Sequence, residues 1–173
     1  MKKIILVIAI ALISFTANAQ FGAAVSYGSV KAKVSTSVAG ADVSADASTG
    51  AFSVGLFYEL ELSDSMDLLP GVGYSSADGG DAIGLGLDLQ YYLGGRDSNF
   101  FVGPGVGFGF SLEDVDTDVV SKTSFSVGAG AGFDISDAFT IMAEYSTQLN
   151  NSSKVDGIKI KANYFGGTLM VKF

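Results

Sequence analysis

Apolar residues recur at every second position along most of this chain, and that spacing limits the possible folds more than any other feature. Every second residue from Phe52 to Leu62 is large and apolar, with Ser, Gly, Phe or Glu between. A period of two indicates β-strands, whose successive side chains point to opposite faces. The pattern returns in Phe21–Tyr27, Leu68–Tyr74, Ile83–Leu93, Phe100–Leu112, Phe125–Ile135, Phe139–Tyr145 and Phe165–Phe173. The sequence therefore predicts eight strands.

The segments between these strands alternate in length. Short turns are predicted near Ser63–Met66, Gly94–Ser98 and Ser136–Ala138. Longer polar segments are predicted at Ser29–Thr49, Ser76–Asp81, Glu113–Ser121 and Asn150–Gly157. Short turns at one end and longer loops at the other are typical of outer-membrane barrels, in which the short turns are periplasmic. We therefore expect an all-β, eight-stranded antiparallel up-and-down barrel with both termini in the periplasm.

The first long segment has two interpretations. Lys31, Lys33, Ser35 and Ser37 alternate with Ala32, Val34, Thr36 and Val38. The alternation is compatible with a ribbon of two strands that protrudes above the membrane, and the edge of such a ribbon could add a strand from a partner. A mobile loop is the preferred interpretation of this long polar segment.

The two faces of the predicted strands differ in composition. One face is Phe, Leu, Val, Ile and Tyr without charge, and the other holds most of the strand glycines and an acidic cluster: Glu59, Glu61, Asp88, Asp134 and Glu144. Because eight strands enclose only enough space for side chains, the glycine-rich face must point inward. The bulky face then points outward, which lipid alone makes favourable. A soluble lipocalin-type barrel would need the opposite polarity, and the chain has no Trp at the usual lipocalin position.

The N-terminus has the pattern of an export signal. Lys2 and Lys3 precede an apolar run from Ile4 to Ile13, and Ala17-Asn18-Ala19 forms an A-x-A cleavage site. We expect a cleaved signal peptide at residues 1–19 and a barrel domain at residues 20–173. The formal net charge of -8 becomes more negative when the two lysines are removed, which disfavours nucleic acid as a partner. Without Cys, no disulfide can form.

The C-terminal strand resembles the signal that the barrel-assembly machinery reads. The matching residues are Tyr164, Gly166, Leu169, Val171 and Phe173. With the export signal, the segment Leu69–Tyr74 and the strand count, the chain resembles the small "porin family" of outer-membrane barrels, of the OmpA/OmpX-like type. The resemblance implies a monomer in the bacterial outer membrane, in contact with lipid and lipopolysaccharide, and inserted by the assembly machinery.

Catalysis is disfavoured by what the chain lacks. It has neither His nor Cys, and the barrel enzymes of the outer membrane resemble one another in using His. The glycine runs Gly103–Gly107 and Gly128–Gly132 are spaced G-x-G-x-G and do not lead into a helix, so they do not predict a nucleotide loop. We expect no cofactor and no enzymatic activity.

Two groups of carboxylates remain as candidate sites. Asp114, Asp116 and Asp118 resemble the start of a calcium loop, although Val119 and Phe125 replace the required Gly and Glu. They form either a weak cation site near lipopolysaccharide phosphates or a solvated loop. The inward acidic cluster forms either a salt-bridged plug or a narrow cation path. The expected function is a structural or surface-interacting envelope protein, with a passive pore for small or hydrophobic solutes as the alternative.

Overall fold

The computed structural model describes residues 19–38 and 41–173, most of which lie in strands. The strands are β1 (Ala19–Val38), β2 (Ala41–Ser63), β3 (Met66–Ala77), β4 (Gly80–Tyr92), β5 (Phe100–Ser111), β6 (Thr123–Ser136), β7 (Phe139–Gln148) and β8 (Ile158–Lys172). The predicted signal peptide lies outside the described residues apart from Ala19, the first residue of β1. Across the described ranges, no helix has the length and apolarity that a membrane span requires.

The eight strands form one closed ring. Each strand pairs antiparallel with its neighbours in sequence, and β8 closes the ring on β1. The closing register runs from Gly22 opposite Lys172 to Thr36 opposite Ile158. Closure satisfies the backbone groups that a free edge would leave unpaired in lipid. The predicted eight-stranded up-and-down barrel is confirmed.

The apolar face of the sheet points outward. Leu85, Val106 and Phe125 expose 59%, 44% and 45% of their surface. Inside, glycines lie opposite one another on neighbouring strands, as Gly71 does with Gly86. These pairs leave space inside the bore. The large apolar side chains of eight strands would not fit into it. A soluble barrel with its apolar side inward is therefore excluded.

Three strands continue beyond the barrel at the long-loop end. β1 and β2 stay paired up to Val38 and Ala41, whereas β3 ends at Ala77, opposite Ala51. β8 begins at Ile158, seven residues before the predicted strand, and pairs with this part of β1. We call residues 30–38, 41–50 and 158–163 the extension. The segment Ser29–Thr49 is therefore a strand ribbon and not a loop, because its alternation continues and β8 supplies a third strand.

One other connection differs from its prediction. The segment Ser76–Asp81 is not a longer loop, because Ala77 pairs with Gly80 across the two turn residues Asp78 and Gly79. Gly80 has a φ of 119°, which favours glycine and permits so tight a reversal. The loops at 112–122 and 149–157 are long, as predicted, and a β-bridge between Val120 and Ser153 joins them.

Candidate functional site

The lumen is closed by ion pairs near the short-turn end. Lys172 of β8 lies 2.7 Å from a carboxylate oxygen of Glu59 on β2 and 3.7 Å from one of Asp134 on β6. All three side chains are largely buried. The ammonium group thus links β8 to both β2 and β6, which lie on opposite sides of the ring. These ion pairs cross the bore and reduce its open cross-section.

A second ion-paired group lies beside the first. Arg96, from the turn between β4 and β5, forms an ion pair with Asp67 and lies 3.4 Å from a carboxylate oxygen of Glu61. Asp67 is completely buried, so the guanidinium compensates a charge that would otherwise be costly inside the barrel. Arg96 also lies over the ring of Tyr92, 5.5 Å from its centroid. A turn residue thereby becomes part of the lumen.

Five large side chains fill the bore next to these ion pairs. We call them the plug: Phe57, Leu69, Tyr92, Phe101 and Met170. The rings of Tyr92 and Phe101 contact each other with their centroids 5.6 Å apart, and each residue is only 1% exposed. The hydroxyl of Tyr92 donates a hydrogen bond of 2.8 Å to Asp134, which ties the plug to the ion pairs. Both apolar and charged groups therefore obstruct this end.

Glycine makes room for the plug. A Cβ atom at Gly22 would collide with the ring of Phe57, and one at Gly132 would collide with the ring of Phe101. Each ring can approach the barrel wall this closely because the facing residue has no side chain. The inward glycines therefore have a packing role at this end, in addition to widening the lumen elsewhere.

The other half of the lumen is open. A cavity of about 400 Å³ is lined by many glycine and serine residues, by the carboxylates of Asp88 and Glu144, and by the plug residues Phe57, Leu69 and Met170. Thr168 donates a hydrogen bond of 2.8 Å to Glu144, and its hydroxyl lies 2.7 Å from that of Ser26. Asp88 is exposed on this surface. No basic side chain among the described residues forms an ion pair with either carboxylate, so this vestibule is negative.

The predicted acidic cluster is thus divided in two by the structure. Glu59, Glu61 and Asp134 belong to the ion-paired closure, whereas Asp88 and Glu144 line the vestibule. Sequence reasoning did not identify Arg96, because it lies in a turn, nor the plug, because its residues alternate with outward apolar ones. The large apolar residues at inward positions, such as Phe57 and Phe101, were the available signal.

The predicted cation loop lies outside the lumen. Asp114, Asp116 and Asp118 are exposed in the loop that follows β5. Asp116 accepts a hydrogen bond from the backbone of Asp118, and within the described ranges no group of three or more His, Cys, Asp or Glu is arranged to hold a metal. Cation binding there stays a prediction.

The residues of the predicted assembly signal occupy both faces of β8. Leu169 and Phe173 are exposed on the outer face, 45% and 76%, while the ring of Tyr164 covers Gly166 on the inner face. The exposed part of this pattern is thus presented to lipid at the strand that closes the barrel. Its recognition by assembly machinery stays a prediction.

The barrel geometry agrees with comparisons to known proteins. The family model described as "Outer membrane protein beta-barrel domain" matches residues 6–173. The chain belongs to this family. No curated protein matches the chain. The family places the protein in the bacterial outer membrane.

Solved structures share the fold at low sequence identity. Neisserial surface protein A is 15% identical with a TM-score of 0.53, and the match covers 87% of this chain and 97% of that one. The N-terminal barrel domain of Pseudomonas aeruginosa OprF is 15% identical with a TM-score of 0.51, and the match covers 88% of this chain and 97% of that one. Both similarities concern the barrel fold.

Proposed function

We propose that this protein is a non-conducting, non-enzymatic outer-membrane barrel that holds its three-stranded extension at the cell surface for interaction with other molecules. The closed lumen carries this proposal: five plug residues and two ion-paired groups obstruct one end of the bore. The short turns and both termini face the periplasm in this arrangement, and the extension faces outward.

The edges of the extension support an interaction role because they differ. Phe173 N–H donates a hydrogen bond to Phe21 C=O, so these two residues form a hydrogen-bonded pair of the β1–β8 ladder. Hydrogen-bonded pairs recur at every second residue of an antiparallel ladder. The backbone groups of the odd-numbered residues of β1 therefore point to β8, and those of the even-numbered residues point to β2. On the β8 side, loop groups satisfy the outer edge: the carboxamide oxygen of Asn151 accepts from Ile160 N–H at 2.7 Å, and that of Gln148 accepts from Ala162 N–H at 3.2 Å. That edge is capped.

The β2 edge has no such cap. The register directs Val43, Ala45 and Ala47 to β1, so the backbone groups of Ser44, Asp46 and Ser48 point away from the sheet. β3 ends opposite Ala51, and no other described strand lies beside this part of β2. An unpaired edge of this kind can accept an extended segment of a partner by β-strand addition.

Conductance measurements test the closed lumen. We expect the refolded full chain to give no current steps above background in planar bilayers. The double substitution Phe57→Ala and Phe101→Ala removes two plug rings and should produce cation-selective steps, because Asp88 and Glu144 line the remaining path. Phe108→Ala, on the outer face, is the matched control and should stay silent. Discrete steps from the unmodified chain would contradict the proposal.

Labelling of intact cells tests the orientation. Since the chain contains no Cys, single cysteines report unambiguously. Ala45→Cys in the extension should react with a membrane-impermeant maleimide, and Asp137→Cys in the turn between β6 and β7 should react only after the outer membrane is permeabilised. The reverse result would place the extension in the periplasm and contradict the surface role.

A narrow passive pore is the second candidate, and the vestibule favours it. The cavity of about 400 Å³ already occupies the half of the lumen beyond the plug, and it carries two carboxylates that form no ion pair with any described basic side chain. Conduction would then require the plug side chains and Arg96 to move aside. Uptake of small sugars or hydrophobic solutes into liposomes that contain the unmodified protein would support this candidate over the closed barrel.

A further inference from the structure

The polarity of β1 reverses where the strand leaves the barrel. Below this point the outward residues are apolar, ending with Tyr27, which is 69% exposed. Above it the outward residues are Ser29, Lys31 and Lys33, while the inward ones are Val30, Ala32 and Val34. The reversal marks the level at which the outer surface stops facing hydrocarbon. Aromatic residues at this level are typical of the membrane interface.

β8 reverses at the same level. Phe165, opposite Ser29, is 64% exposed and is the last outward aromatic residue of this strand. Above it the outward residues are Asn163, Lys161 and Lys159. Four of the ten basic residues of the chain therefore lie on one outward surface. We call it the lysine face: Lys31, Lys33, Lys159 and Lys161.

The lysine face has more positive charge than its own acidic neighbours compensate. Lys31 forms an exposed ion pair of 2.9 Å with Asp46. Lys33 lies directly opposite Asp46 across the β1–β2 ladder, but the carboxylate of Asp46 is already paired with Lys31. Across the β1–β8 ladder Lys33 lies directly opposite Lys161, and like charges in this position destabilise a sheet. Among described side chains, none with a carboxylate lies within ion-pairing distance of Lys33, Lys159 or Lys161. An external anion would remove this repulsion.

The height of the lysine face above the barrel indicates which anion. Lys31 and Lys161 are each four residues above these aromatic residues, roughly 13 Å along the strand, whereas Lys33 and Lys159 are each six residues above them, roughly 20 Å. With a strand tilt of about 40°, the two pairs of lysines lie about 10 Å and about 15 Å above the aromatic residues. The polar layer on each side of a bilayer is about 5–8 Å thick, and the flexible lysine stems can reach down into it.

Protection of a free edge does not account for these lysines. Charged residues that prevent aggregation are placed on the exposed edge strand of a sheet. Here the four lysines lie on β1, the central strand of the extension, and on β8, whose edge is capped by loop side chains. The open edge of β2 carries none of them.

We propose that the lysine face binds the phosphate groups of lipopolysaccharide in the outer leaflet and so fixes the extension against the membrane surface. This inference rests on the proposed orientation, with the extension outside the cell. The lysines lie on the outward face just above the lipid-facing surface, where anionic headgroups surround the barrel. The extension would then lean on the leaflet, with the unpaired backbone of Ser44, Asp46 and Ser48 still accessible.

Titration with fluorescent lipopolysaccharide tests the proposal on the refolded full chain in zwitterionic micelles. The triple substitution of Lys33, Lys159 and Lys161 by Gln leaves the ion pair between Lys31 and Asp46 intact. At about fivefold per lysine, we expect roughly 100-fold weaker binding at low salt, and a smaller difference at high salt. The same three lysines replaced by Arg should keep the affinity. Heat-modifiable gel migration establishes that each variant is folded.

Two controls separate phosphate recognition at this face from other causes. Lys122→Gln with Lys154→Gln removes two loop lysines outside the face and should leave binding unchanged. Dephosphorylated lipopolysaccharide should bind the unmodified protein as weakly as it binds the triple Gln variant. Equal affinity of the triple Gln variant and the unmodified chain would overturn the proposal, and so would an equal loss in the loop-lysine control. Tight binding of heparin without binding of lipopolysaccharide would assign the face to soluble polyanions instead. Because micelles have no sidedness, failure here is distinguishable from a wrong orientation.

Discussion

Replacement of Lys172 by Met should destabilise the barrel strongly. Lys172 and Glu59 are 6% and 9% exposed, and Asp134 lies on the other side of the same ammonium group. Met keeps much of the apolar stem and removes only the charge. Both carboxylates then stay buried without their cation, which is the costly way to break a buried ion pair.

The expected loss in the free energy of unfolding is about 3–5 kcal/mol, the range for removing one partner of a buried pair. The matched control is Lys31→Met, because Lys31 and Asp46 are 54% and 42% exposed and form a pair of similar length. An exposed ion pair contributes about 0–1 kcal/mol to stability. The loss in the free energy of unfolding should therefore be several-fold larger for Lys172→Met than for Lys31→Met.

Urea unfolding of protein refolded in detergent micelles measures these values without the assembly machinery of the cell. The double variant Lys172→Met with Glu59→Gln should recover part of the loss, because the second change removes an uncompensated charge. If Lys172→Met unfolds within about 0.5 kcal/mol of the unmodified chain, the ion-paired closure does not stabilise the barrel and our reasoning fails. Additive losses in the double variant would show that the two residues are not coupled.

Two further predictions concern the outer face and the extension. Leu85→Arg should lower the free energy of unfolding in lipid vesicles by about 2–4 kcal/mol, the value for a charge near the bilayer midplane. Leu85→Ala, which introduces no charge, is its control. Equal losses of stability in the two variants would contradict a lipid-facing position. The hydrogen bond and ion pair with Lys31 hold the pKa of the Asp46 carboxyl below its ordinary value. The stabilisation from this pair is therefore present above the ordinary pKa of Asp and is lost as the pH falls through the lowered pKa. An NMR titration of the Asp46 carboxyl should show this depression, and Lys31→Met should reduce it.

The sequence alone determined the barrel and its polarity. Alternation is a local property, since neighbouring side chains of a strand point to opposite faces whatever the strand pairs with. The bulk of Leu85 or Phe125 and the absence of a side chain at Gly86 then decided which face could be inside. These features required no knowledge of which strands meet, and the structure agrees with them.

The tertiary structure alone decided what the inward residues do. Lys172 meets Glu59 and Asp134 because β8 closes on β1 in one particular register, and the sequence pattern would be unchanged in another register. Arg96 enters the lumen from a turn, and Phe101 packs on Tyr92 across neighbouring strands. Such contacts join residues far apart in the chain, so no local pattern encodes them. The same long-range pairing brought Lys159 and Lys161 beside β1 and created the lysine face.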